Sequence, residues 1–258
     1  MAGVAARAVV FDYGLTLVGF SRPAEAIDRA QAEIARRIAA AGHDAPSPGR
    51  LREAVHDRVE AEVVANEESG SLDEVDIVAL ERRAFADIGL HLDDALLDDC
   101  SRLVQEAWLE GVTLYDDVVP TLELLRGRGL RLGVCSNAAY RPASLRAQLV
   151  HLGLDRLLDA AVFSSEVGRR KPATDIFTAA LAALGADAAT TVFVGDRVRE
   201  DVGGSHEAGM RPVLIDRNRS TAGRDVAGGV PHDVIHGLRE LPPLLGLEIA
   251  IAYDGRNC

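Results

Sequence analysis

The sequence predicts an α/β protein built on a doubly wound parallel sheet, with a bundle of helices inserted after the first strand. Three observations lead there. Short apolar, often β-branched runs recur at residues 8–11, 132–135, 161–163, 191–194 and 212–215, and such runs bounded by polar residues read as buried strands. From Val118 onward these runs alternate with helical stretches, the order that yields a parallel sheet with right-handed crossovers and helices on both faces. Between about Pro23 and Gly111 the strand signal nearly vanishes, and apolar residues recur with helical spacing instead.

Taken in order, Ala8-Val9-Val10-Phe11 is the first strand and delivers Asp12-Tyr13-Gly14 to its carboxyl end. Ile27, Ala30, Ile34 and Ile38 mark one helical face, and Leu51, Val55, Val59 and Val63 mark a second. Further helices are expected over 73–88, stopped by Gly89, and over 94–109, with Pro- and Gly-containing breaks at 45–49 and 69–71. The expected division is a core of residues 1–18 and 115–258 around a helical bundle of residues 19–114. Phe85 and Trp108 lie on apolar helical faces and are expected to pack. Residues 231–235 read as strand or loop, so His232 and His236 are expected to be exposed histidines. No internal repeat is visible, and residues 247–258 carry no clear signal.

Composition narrows the function. At 258 residues, 48% of them hydrophobic, the chain is long enough to bury a substantial core, and its scarce aromatics with plentiful Ala, Val, Leu and Gly suit tight packing. A formal net charge of −12 argues against general nucleic-acid binding, which needs a positive face. No run approaches the roughly 18 apolar residues of a membrane span, and Cys100, Cys135 and Cys258 form no paired framework. A soluble cytoplasmic protein, monomeric or homodimeric, is expected. Of the 28 basic residues 27 are Arg, and the single Lys is Lys171.

Open parallel sheets bind ligands at the carboxyl ends of their strands. Asp12 follows the first strand, Ser136 and Asn137 the second core strand, Lys171-Pro172 the third, and Gly195-Asp196 the fourth, with Asp201 five residues beyond Asp196. This order, with a helical insertion between its first two members, resembles the haloacid dehalogenase-like (HAD) hydrolase superfamily over essentially the whole chain to about Gly246. The resemblance implies a Rossmann-like core, a helical cap of the C1 type, and a Mg²⁺-dependent phosphatase acting on a small phosphorylated substrate.

The chemistry gives each residue a reason. Asp12 is the expected nucleophile, because a carboxylate can accept a phosphoryl group as an acyl phosphate. Asp12 and Asp196, with the backbone carbonyl of Gly14, would hold Mg²⁺, and Asp201 would orient metal-bound water or its own loop within the same metal site. Lys171 would neutralise charge on Asp12 and the phosphoryl oxygens, to which Ser136 and the backbone around Asn137 would donate hydrogen bonds. Phe20 and Arg22, just past the nucleophile loop, are candidates to line the substrate entrance.

In one place the sequence departs from the family. Its phosphatases usually carry a second Asp, an acid and base, two residues after the nucleophile. Gly14 stands there, and a positioned acid/base is typically worth about 10²–10⁴-fold. Three readings follow: a phosphatase without that helper, a dehalogenase-like Asp-nucleophile hydrolase, or a non-catalytic phosphate-binding protein. The phosphonate-cleaving branch needs a cap lysine, which this chain lacks.

Overall fold

A computed structural model describes residues 5–219 and 233–247. The elements run β1 (Ala8–Phe11), β2 (Val18–Phe20), α1 (Ala24–Ala40), α2 (Pro48–Leu51), α3 (Asp57–Glu68), α4 (Ile77–Ala86), α5 (Asp94–Trp108), β3 (Val112–Leu114), α6 (Val118–Gly127) and β4 (Arg131–Ser136). They continue with α7 (Pro142–His151), β5 (Ala160–Phe163), α8 (Ser164–Val167), α9 (Thr174–Leu184), β6 (Thr191–Gly195), α10 (Gly204–Glu207), β7 (Arg211–Ile215), β8 (Asp233–Ile235) and α11 (Leu241–Leu244). Six strands form one sheet in the order β5-β4-β1-β6-β7-β8, and every neighbouring pair is parallel. The doubly wound α/β class expected from the alternating runs is what the chain adopts.

The sheet separates two apolar layers because strand side chains alternate between faces. Val9 and Phe11 of β1 point into one layer with Leu122 and Leu125 of α6, Leu145 and Leu149 of α7, and Leu241 of α11. Ala8 and Val10 point into the other, with Ile176, Phe177 and Ala180 of α9. There Phe177 meets Phe193 of β6 edge-on, with ring centroids 5.2 Å apart at 71°. Fully burying one such ring stabilises the fold by about 1.5–3 kcal/mol relative to leaving it exposed.

The helices between β2 and β3 have an apolar cluster of their own, including Ile34, Ile38, Leu51, Val55, Val59, Val63, Phe85 and Leu97. Both helical stripes read from the sequence are buried throughout, from Ile27 to Ile38 and from Leu51 to Val63. The second stripe runs along α2 and α3, which a π-helical turn at Arg52–His56 joins without a break. Helix α4 starts at Ile77, later than the 73–88 expected. Asp76 is its N-cap, accepting from the Ala79 N–H, while the chain before it is held by the core: Arg170 N–H donates to the Leu72 carbonyl and Glu74 N–H to that of Gly168.

Two features escape the sequence pattern, the β2–β3 ribbon and the partial burial of His236, while the stretch read as strand or loop supplies a strand at Asp233–Ile235. Val18–Phe20 and Val112–Leu114 pair as an antiparallel ribbon where the chain leaves and re-enters the sheet layer. Asp233–Ile235 extends the sheet as its sixth strand. His236 is half-buried, not exposed, with Nδ1 2.9 Å from the Asp216 carbonyl oxygen, whereas His232 lies outside the described residues. Among the described residues no helix is long and apolar enough to cross a membrane.

Candidate active site

Strand register builds the site. Phe11 pairs with Val134 on one side and Val194 on the other, so the next residue, Asp12, comes level with Cys135 and Gly195 at the sheet's carboxyl edge. Asp12 is anchored there by its backbone N–H, which donates to the Val194 carbonyl at 2.8 Å. The chain then turns tightly: Leu15 N–H donates to the Val18 carbonyl at 2.7 Å, and Leu17 N–H to the Tyr13 carbonyl at 2.9 Å. The turn forces Leu15 to φ 59°, a left-handed conformation that costs a branched residue about 1–2 kcal/mol. Arg217, just past β7, braces this turn by donating to the Thr16 carbonyl at 2.8 Å while pairing with Asp117 at 2.9 Å.

The lone lysine is the hub. Lys171 Nζ, almost wholly buried, donates to Asp12 Oδ1 at 2.6 Å, to Asp201 Oδ1 at 2.6 Å and to the Cys135 carbonyl at 3.1 Å. It also lies 5.3 Å from the Phe193 ring centroid, a cation–π contact. Burial alone would lower its pKa, but Asp12 and Asp201 outweigh burial and hold it above the usual lysine value. The ammonium is therefore charged at all ordinary pH.

Ser136 Oγ donates to the same Asp12 Oδ1 at 2.9 Å. The side chain of Asn137 is spent elsewhere than on a ligand: Oδ1 accepts from the Lys171 N–H at 2.7 Å, and Nδ2 donates to the Lys171 carbonyl at 3.2 Å. Asn137 thus positions Lys171. Arg170 adds a second anchor from the helical side, pairing with both Glu74 oxygens and with Glu67, each at 2.8 Å. Neither Arg170 nor Arg217 stood out in the sequence, because nothing marks one arginine among 27.

Asp201 is fully buried and fully engaged, Oδ1 by Lys171 and Oδ2 by the Arg197 N–H at 2.9 Å. It fits against β6 only because residue 195 is glycine; a Cβ there would overlap the Asp201 carboxylate. Asp196 differs, since no hydrogen bond from the described residues reaches its carboxylate. Burial, with Asp12 and Asp201 as neighbours, pushes its pKa up to about 7. One oxygen each from Asp12, Asp196 and Asp201 lie within 4.8 Å of one another. Three hard oxygen donors facing one another, one of them starved of compensation, are chemically suited to Mg²⁺.

The raised pKa of Asp196 has a consequence for stability. A folded-state value above the unfolded one means the native state binds the extra proton, so metal-free stability is highest below about pH 4 for this group and falls as pH rises through about 7. Replacing Asp196 with Asn is expected to raise the metal-free melting temperature at pH 8. The gain is on the order of 2 kcal/mol after partial solvent screening, about 4–8 °C. Addition of Mg²⁺ is expected to raise the melting temperature of wild type but not of this variant. Calorimetry at pH 5 and 8 measures both.

A cavity of about 410 Å³ opens in front of Asp12, between the sheet edge and the helices. Asp12, Gly14, Ser136, Asn137, Lys171, Asp196, Asp201 and Phe20 all line it, whereas Arg22 does not: it pairs with Asp57 at 2.6 Å on the helical surface. Trp108 also lines it, so this residue does more than pack between helices.

A parallel sheet that gathers three carboxylates, a hydroxyl and a buried ammonium at one carboxyl edge is a Rossmann-like framework with a hydrolytic set of groups at its strand ends. The model of the haloacid dehalogenase-like hydrolases matches residues 6–209, and the chain belongs to that family. It is 39% identical over 106 residues to the glyceraldehyde 3-phosphate phosphatase of Methanopyrus kandleri, covering 41% of this chain and 44% of that protein. With the phosphoglycolate phosphatase of Rhodospirillum rubrum it shares 37% over 147 residues, 53% of this chain and 58% of the relative. The chain thus spans about half the length of the curated relatives it matches. The 2-haloacid dehalogenase of Pseudomonas syringae pv. Tomato DC3000 superposes with a TM-score of 0.64 at 25% identity, over 93% of this chain and 98% of the other.

Proposed function

We propose that this protein is a Mg²⁺-dependent phosphatase of a small phosphorylated molecule, working through an aspartyl-phosphate intermediate on Asp12. The observation that carries this reading is Lys171, charged and buried between Asp12 and Asp201, with Asp196 left to complete an oxygen-only metal set. Asp12 Oδ1 is held by Lys171 and Ser136, which fixes the carboxylate for in-line attack on phosphorus. Ser136 and Lys171, whose protons are spent on Asp12, Asp201 and the Cys135 carbonyl, would each turn one of them to a phosphoryl oxygen when phosphate enters. Mg²⁺, held by Asp12, Asp196 and the Gly14 carbonyl with Asp201 behind them, would supply charge neutralisation for the phosphoryl group. Residues 19–114 form the cap in this reading, and Phe20 faces the leaving group. The names of the phosphatase relatives support the same reaction class.

A second reading, attack of Asp12 on a halogen-bearing carbon, is favoured by Gly14, since halide needs no proton to leave. The Asp196–Asp201 pair speaks against it, because a displacement at carbon gains little from a metal masking its nucleophile. Phosphate release from 4-nitrophenyl phosphate, dependent on Mg²⁺ and lost with chelator, is the expected result. Chloride release from 2-chloropropionate without Mg²⁺ would replace the phosphatase reading with the other.

A further inference from the structure

We infer that the site is specialised for phosphate esters of compact aryl alcohols, whose oxygen leaves without help from an acid. The inference rests on the phosphatase reading and concerns the side of the cavity that takes the leaving group.

The first observation is that position 14, where the family's phosphatases carry their acid, offers no side chain to move a proton. Gly14 stands there, and a Cβ on it would come within 2.9 Å of Phe20 Cε2, the far end of a half-exposed ring that would have to swing aside to admit an acid. The other titratable groups on that side are engaged. Tyr13 Oη donates to Gln148 Oε1 at 2.6 Å, and burial pushes its phenol above the usual range. Tyr140 Oη donates to Glu60 Oε2 at 2.8 Å, which ties that carboxyl to the cavity wall, where burial raises its pKa. Glu67 is paired with Arg170.

Leaving-group acidity then decides the rate. The conjugate acid of an alkyl alkoxide is about as weak an acid as water, whereas a phenol lies near tyrosine, at about 10. Only the phenolate departs readily unprotonated.

The second observation is the wall itself. Phe20, Leu15, Val63, Val64, Trp108 and Val112 line the cavity around the leaving-group position, and Phe20 is half exposed. Flat apolar rings gain dispersion and edge-to-face contacts with such a wall. On the helical side the charged lining is Glu60 and Glu67, the latter paired with Arg170, and Arg197 lines the same cavity from the sheet side.

The step balances without further reagents. An Asp12 oxygen forms a bond to phosphorus while the P–O(aryl) bond breaks, the pair leaving on phenolate, which takes a proton from solvent. Water then attacks phosphorus, the P–O(Asp12) bond breaks, and the carboxylate is regenerated with phosphate and a proton released. The second step also lacks a base at position 14, so acyl-phosphate hydrolysis limits turnover and phenol appears in an initial burst.

The experiment compares phenyl phosphate with cyclohexyl phosphate, which has nearly the same size but an alkyl leaving group, and with benzyl phosphate, which keeps the ring but not the acidity. The expected kcat/KM for phenyl phosphate exceeds both by at least about 10²-fold, the usual worth of a positioned acid. A rapid-mixing burst of phenol, approaching one per active site, should accompany it. Comparable kcat/KM for the phenyl, cyclohexyl and benzyl esters would overturn the inference and leave the phosphatase reading standing. Failure to hydrolyse any ester, with no phosphoryl group transferred to Asp12 from acetyl phosphate, overturns both.

Discussion

Replacing Asp12 with Asn is expected to lower phosphate release by at least about 10⁴-fold, the scale seen when a covalent nucleophile is removed. The amide keeps the shape of the carboxylate, and its oxygen can still accept from Ser136 and Lys171, so the pocket keeps its geometry. Lys171 also retains Asp201 as a counter-charge at 2.6 Å. The melting temperature of Asp12→Asn should therefore stay within a few degrees of wild type while the chemistry is lost. Phosphate release and thermal denaturation measured on one preparation test this together. Undiminished release from the variant would remove Asp12 from the mechanism.

Replacing Lys171 with Ala is expected to cost stability as well as activity. The substitution leaves Asp12 and Asp201 facing each other in a buried site without a counter-charge, and breaking such a pair typically costs about 3–5 kcal/mol. For a chain of this size that lowers the melting temperature by about 6–20 °C. Without Lys171 the pKa of Asp201, already raised by burial, rises further, so the native state of the variant binds protons more readily than its unfolded state. Its deficit against wild type should therefore shrink as pH falls from 8 toward 5 and widen again as pH rises. A deficit independent of pH would point to lost packing of the side chain instead of unpaired charge.

Much of this arrangement was legible because buried parallel strands announce themselves as unbroken apolar runs. Ala8–Phe11 and Thr191–Gly195 end abruptly in Asp12 and Asp196, and the carboxyl ends of strands are where such sheets place their ligands. Lys171 was conspicuous as the only lysine. What stayed hidden depends on contacts between distant segments. Val18-Gly19-Phe20 is too short and too broken by glycine to read as a strand, yet it pairs with Val112–Leu114 across the whole helical insertion. Asp73 and Asp76 are equally good helix starters by residue type, and only the bonds of residues 72 and 74 to the core decide between them. Asn137 reads as a ligand donor by type, and its use as a clamp on the Lys171 backbone follows from the spatial adjacency of β4 to the 170–172 segment. The ring of Phe20 over Gly14 is likewise a tertiary fact, although both residues had been singled out separately.

The isolation of Lys171 has a use beyond catalysis. It carries the chain's only side-chain amine, and that amine is shielded from solvent and tied to two carboxylates. Amine-directed acylating reagents consequently find no background of surface lysines to consume them. Acylation at residue 171, read by mass spectrometry, therefore waits until unfolding frees the amine from both carboxylates and lets it lose its proton.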